Sequence, residues 1–77
     1  MNRTIRLIWD FYGKDAHQTA LHHEVHLQDY AVDQDLENTF FSVEEIDINH
    51  WIATMHVKEE VVFEVRDALK PHRGEVV

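Results

Sequence analysis

The first ten or so residues of the chain alternate between two kinds of position. One side of an extended chain carries only apolar side chains: Ile5, Leu7, Trp9 and Phe11. The other side is mixed, with Arg6, Ile8, Asp10 and Tyr12. A period of two with β-branched and aromatic side chains is typical of a β-strand. Because only one side is wholly apolar, we expect this strand in the middle of a sheet whose helices cover that side alone.

A helical pattern follows Gly13, with Asp15 as the expected N-cap. The spacing predicts a helix from about Ala16 to Tyr30 or slightly beyond. Residues at helical spacing form one stripe for packing on the sheet: Ala16, Ala20, His23, Leu27, Tyr30 and Ala31. The amphipathic pattern is imperfect, because a second set of apolar residues lies on another side of the helix: Leu21, Val25 and Val32.

A second strand is predicted from about Thr39 to Ile48, but the phase of its apolar positions changes midway. The change leaves two interpretations open. A bulge at Glu44–Glu45 would bring Phe41, Val43, Ile46 and Ile48 to one side. Without a bulge, the inward residues would be Phe40, Ile46 and Ile48. After a turn, a third strand is predicted, with these residues on one face: Trp51, Ala53, Met55 and Val57.

A second helix is predicted from about Lys58–Glu59 to Pro71, which cannot continue a helix, and the tail from His72 to Val77 can form a last strand. The order β-α-β-β-α-β predicts a single α+β domain over residues 1–77. The corresponding architecture is the split βαβ or ferredoxin-like one, with an antiparallel sheet and both helices on one face. That architecture supports many functions, so it does not itself indicate one.

Composition narrows the classes of partner. The 77-residue chain has a formal net charge of −8 with histidine neutral, which disfavours binding to nucleic acid or to an anionic membrane. It has no cysteine, and no apolar run approaches the ~20 residues that span a bilayer. We therefore expect a cytoplasmic protein. The chain also has seven histidines, a large number for its length.

The first helix carries four of these histidines, and their spacing indicates one candidate metal site. His22 and His26 are four residues apart, so both rings project from one face of the helix. Two imidazoles at that spacing can chelate zinc or another divalent metal, but a useful site needs a third ligand from Asp29, a loop or a second copy. His23 lies on the apolar stripe instead, where we expect a packed ring with a hydrogen-bonded nitrogen.

The sheet face that the helices leave open is the other candidate site. It is expected to carry Arg6, Ile8, Asp10, Tyr12, Ile52, Thr54 and His56. Exposed Ile8 and Ile52 would make it a ligand floor or a dimer surface. We therefore expect a non-enzymatic, homo-oligomeric binding module, most simply a homodimer. Two alternatives are a small dimeric enzyme that uses Asp10, Tyr12 and His56 for proton transfer, and a divalent-metal-binding protein.

Overall fold

The computed structural model describes residues 3–77. Four strands and two helices follow in the predicted order: β1 (Thr4–Tyr12), α1 (Ala16–Asp33), β2 (Phe40–Asp47), β3 (His50–Lys58), α2 (Val62–Leu69) and β4 (Arg73–Val76). A short 3-10 helix, Glu59–Val61, precedes α2. The protein is therefore of the α+β class, as the sequence predicts.

The four strands form one sheet in the order β2-β3-β1-β4, and every neighbouring pair is antiparallel. The longest pairing joins β1 to β3 and runs from Thr4↔Lys58 to Tyr12↔His50. On its other side, β1 pairs with the shorter β4, from Ile5↔Val76 to Ile8↔Arg73. The first strand thus has neighbours on both sides, as its composition predicts.

Both helices contribute to the hydrophobic core on one face of the sheet. The buried cluster consists of Leu7, Trp9, Ala20, Leu27, Ala31, Ala53, Met55, Val57 and Val65. Three of the four buried residues of α1 are alanines, and their small side chains let the helix backbone come close to the strands. Near α2, the indole Nε1 of Trp9 donates a hydrogen bond to the Leu69 carbonyl oxygen at 3.0 Å. This bond fixes the end of α2 against β1.

The apolar residues of β2 follow neither of the two predicted arrangements. Phe41 and Val43 pack against the core, whereas Phe40, Ile46 and Ile48 are exposed. The register shift lies between Glu45 and Asp47, later than the predicted bulge. Because the shift comes after the last core residue of the strand, it leaves Ile46 in solvent. Both sequence interpretations of this strand, each of which buries Ile46 and Ile48, are therefore wrong.

The helix ends differ from expectation in detail. Asp15 is the N-cap residue of α1, but its side chain makes no capping hydrogen bond; its carbonyl instead accepts the Thr19 hydroxyl at 2.9 Å. The second helix begins later than predicted, since its first turn is the 3-10 helix. It ends at Leu69, and the C-cap residue Lys70 has a left-handed φ of 50° and donates its N–H to the Arg66 carbonyl. Neither helix has the length and apolarity that crossing a membrane requires, judged over residues 3–77.

Candidate functional site

We call the sheet face opposite the core the open face; its central residues are buried even though no helix covers them. Ile8 and Thr54 are fully buried, and Ile52 is 2% exposed. The expectation that Ile8 and Ile52 are exposed is therefore wrong. The reason is that charged and polar side chains on neighbouring positions extend over them and pair with one another, so that their stems exclude water from the apolar groups beneath.

Arg6 is the side chain of this cover that reaches furthest across the sheet. Its guanidinium group donates to Glu44 on β2 and, at 3.2 Å, to Glu75 on β4, so one side chain connects both edges of the sheet. The side chain is 25% exposed. Beneath it, the hydroxyls of Ser42 and Thr54 form a hydrogen bond between β2 and β3. The buried threonine thus has a polar partner, as a buried hydroxyl requires.

Asp10 is the second centre of the open face. Arg73 donates to both of its carboxylate oxygens at 3.1 Å, and the Nε2 of His50 donates to Oδ1 at 2.8 Å. The carboxylate is only 12% exposed. The Arg73 hydrogen bond is the main cause that lowers the pKa of Asp10, with His50 adding to it and burial opposing it. Asp10 is thus an ionised, well-paired group that orients His50.

The histidine near Asp10 is His50 and not the predicted His56. His56 pairs in register with Arg6, whereas the cross-strand partner of Asp10 is Ile52, four strand positions away or roughly 13 Å. Asp10 and His56 are therefore not brought together, and the histidine beside Asp10 is His50. His50 shares its parity with His56, so extending the predicted third strand back by one residue would have found it.

Two aromatic side chains on the open face are exposed. The ring of Tyr12 is 72% exposed and stacks on His50, with ring centroids 4.3 Å apart. Phe40, on the edge strand β2, is 66% exposed and pairs in register with His56. Since His50 and His56 are six residues apart on β3, the two aromatic rings lie toward opposite ends of the face. Paired charged groups thus cover the middle of the face, and one exposed aromatic group lies near each end.

Two grooves lie away from the buried centre of the open face, although Arg73 and Glu75 at its β4 edge line one of them. One of about 510 Å³ lies between the end of α1 and β2, and its lining includes Ala31, Leu36 and Phe41. Another, of about 370 Å³, lies between α2 and β4, with Val62 and Arg66 among its lining residues. None of the residues buried beneath the open face lines either groove.

The predicted metal pair is brought together. The Nε2 atoms of His22 and His26 are 2.8 Å apart, both rings are exposed, and their centroids are 4.6 Å apart. At that distance one ring donates an N–H to the other, so the two nitrogens face each other. No group of three or more histidine, aspartate or glutamate side chains able to hold a metal occurs in residues 3–77. The described residues therefore do not supply the third ligand that a useful metal site at His22 and His26 needs.

His23 packs as predicted but without the predicted hydrogen bond. Its ring lies 5.0 Å from the ring of Trp9 and 5.4 Å from that of Phe11, and its Nε2 is buried without a partner. Burial is the main cause that lowers the pKa of His23, and the nearby His26 and His72 lower it further. His23 is thus held in its neutral form by an apolar environment.

The chain was compared with protein-family models, with curated proteins and with solved structures, and none of them matches it.

Proposed function

We propose that the chain is a single ferredoxin-like domain that acts as a non-enzymatic, homo-oligomeric interaction module, most simply a homodimer. The architecture is supported by the β-α-β-β-α-β order, by the strand order β2-β3-β1-β4 and by the contribution of both helices to one core cluster. A cytoplasmic location belongs to the proposal as well, because a chain without cysteine suits a reducing compartment.

The observation that carries the proposal is the filled open face. Catalysis on a sheet surface needs a cavity in which substrate meets a general acid or base. Here Ile8, Ile52 and Thr54 are at most 2% exposed, and the charged groups above them are paired with one another. A surface of this kind has no room for a buried small molecule, but it can meet another flat surface.

The partner we infer is a second copy of the chain, in contact through the open face. The exposed rings of Tyr12 and Phe40 supply apolar contacts toward the two ends of the face. Aromatic groups of this kind are the side chains that most often dominate binding energy in protein interfaces. Because the face carries cations as well as carboxylates, two copies can meet without opposing only like charges.

Substitution of one exposed phenylalanine tests this assignment. Phe40→Ser should shift the protein toward monomer in sedimentation equilibrium while leaving the far-UV circular dichroism unchanged. The matched control is Phe63→Ser, because Phe63 is 64% exposed but lies on α2, away from the open face. Wild-type protein that is monomeric at high micromolar concentration, or equal effects of the two variants, would contradict the proposal. Ile8→Lys and Ile52→Lys are unsuitable tests, since each would place a lysine in a buried position.

A small enzyme is the second candidate, and the Asp10–His50 hydrogen bond is the observation that favours it. A carboxylate that orients a histidine is a common arrangement for general-base catalysis. Against it stands Arg73, which already occupies both oxygens of Asp10. Hydrolysis of activated esters, measured for the wild type and for His50→Gln, distinguishes the candidates. Activity that disappears in the variant would favour the enzyme.

A further inference from the structure

On the exposed side of α1, His22 and His26 bring two imidazole nitrogens within hydrogen-bonding distance of each other. A tetrahedral zinc ion with nitrogens at 2.0–2.1 Å holds two of them about 3.3 Å apart. The 2.8 Å between the Nε2 atoms of His22 and His26 is within about half an ångström of that value. A zinc ion can therefore lie between the two nitrogens once the shared proton has moved to Nδ1 of its own ring, after a small outward movement and rotation of the two rings.

This pair is also free to receive a metal. Both side chains are on the exposed part of α1, and the hydrogen bond found for each ring is the one to the other ring. His17, the other exposed histidine of this helix, does not join the pair; its ring stacks on Trp51 at a centroid distance of 3.8 Å. The two rings of the pair thus combine accessibility with a fixed mutual geometry.

Two nitrogens fill half of the coordination shell that a structural zinc site uses. The described chain offers no third ligand, whereas a second copy related by a two-fold axis would bring an identical pair. Four imidazoles from two copies make a complete tetrahedral set. The net charge also favours a shared metal ion. Each copy carries a net charge of −8, and a divalent cation bound between two copies reduces the repulsion between them.

The surface beside the pair suits contact with a second copy. Leu21, Val25 and Val32 are 44%, 55% and 81% exposed, and they lie at positions of α1 opposite its core stripe. Two such helix faces packed against each other would cover apolar side chains that are exposed in the single copy. The histidine pair flanks this stripe, so that one contact between copies can join both features.

We propose that His22 and His26 are one half of a zinc site that a second copy of the chain completes, with the outer face of α1 as the contact. This contact is separate from the open face, because α1 packs on the opposite side of the sheet. It therefore adds a metal-dependent association to the metal-independent one proposed above, and the two can fail independently.

Calorimetric titration with zinc chloride at neutral pH, combined with sedimentation equilibrium, tests the proposal. The experiment uses the wild type and Phe40→Ser, in which the open-face contact is weakened. We expect saturation at one zinc per two chains and a doubling of mass in Phe40→Ser on zinc addition. His22→Ala and His26→Ala should each weaken zinc binding by at least about tenfold, the loss typical even for a removed supporting partner. His17→Ala is the matched control and should bind as the wild type does.

Each other outcome overturns a stated part of the proposal. Absence of saturable zinc binding overturns the site. Saturation at one zinc per chain without a change of mass overturns the contribution of the second copy. Zinc binding that survives in His26→Ala overturns the assignment to this pair. A Phe40→Ser protein that stays dimeric without zinc contradicts the open-face contact, and in that protein any zinc stoichiometry other than one per two chains overturns the shared site.

Discussion

At the scale of single residues, the open face depends on Asp10 more than on any other charged group. This carboxylate is 12% exposed and accepts from Arg73 and His50. The attraction between a buried charge and its partners does little more than offset the cost of desolvating them. Removal of the charge, however, leaves its partners without hydrogen bonds, which lowers stability. The loss on substitution should therefore exceed that of an ordinary surface ion pair.

We predict that Asp10→Asn lowers the free energy of unfolding by about 1–3 kcal/mol at neutral pH. The control is Asp67→Asn, which should change the free energy of unfolding by no more than about 0.5 kcal/mol. Asp67 is 74% exposed, and its ion pair with Arg66 is long, at 3.4 Å. The pKa of Asp10 is lowered from 3.8, so its contribution is present above that value and is lost as the pH falls through the lower folded-state pKa. Urea unfolding at pH 7 and pH 3.5 should show a smaller difference between the wild type and Asp10→Asn at pH 3.5, where the loss of this contribution has begun.

His23 has the opposite dependence on pH. Because its folded-state pKa is lowered, the unfolded chain takes up the proton first. The neutral ring costs nothing above the unfolded pKa of about 6.5, and stability is lost as the pH falls below that value toward the folded-state pKa. We expect His23→Leu to lose less stability between pH 7.5 and pH 5.0 than the wild type in urea unfolding. His17→Leu, on the same helix, should retain the wild-type dependence. Identical pH profiles for His23→Leu and the wild type would show that His23 does not carry this effect.

At the scale of elements, the sequence predicts best where the residues that face the core keep one period over a whole element. The alternation of β1 and the helical stripe of α1 each run without interruption, and both elements lie within about three residues of their predicted bounds. The phase of β2 could not be predicted, because Ile46 and Ile48 are as apolar as Phe41 and Val43. What excludes them from the core is the position of the register shift after the last core contact, which depends on pairing with β3.

The packing of the helices on β1 gives a prediction at this scale. Leu7 is 3% exposed and belongs to the core cluster that both helices share. Leu7→Ala should cost about 2–5 kcal/mol, through lost burial and the cavity left behind. Leu21→Ala removes the same atoms from the outer face of α1, where the side chain is 44% exposed, and should cost less than about 1 kcal/mol. Chemical denaturation of both variants gives the comparison, and equal losses would show that Leu7 is not a core residue.

At the scale of the whole molecule, the sequence predicts the residues of β1 on the open face but not the full set, which includes His50 and Phe40, nor how these residues are arranged. Parity alone assigns Arg6, Asp10 and Tyr12 to that face correctly. It cannot show that Arg6 reaches both edges of the sheet, because that requires the strand order and the lateral register of β2 and β4. Nor can it show that Ile8 is buried, since the cover comes from residues distant in sequence.

The overall charge leads to the last prediction, that self-association strengthens as the pH falls. With histidine neutral the chain carries −8, and protonation of its seven histidines would offset seven of those charges. His23 resists this change, because its pKa is lowered; the repulsion between copies nevertheless falls steeply between pH 7.5 and pH 5.5. We expect the association constant in metal-free buffer to rise by about tenfold or more over that range.

Sedimentation equilibrium in the presence of a chelator at the two pH values measures this change. A salt series separates electrostatic repulsion from a change of conformation. At 1 M salt the screening length is about 3 Å, so repulsion between copies is largely removed and the pH dependence should shrink. Far-UV circular dichroism at each pH confirms that the fold is retained. An association constant that is constant, or that falls, between pH 7.5 and pH 5.5 at low salt would show that net charge does not limit self-association.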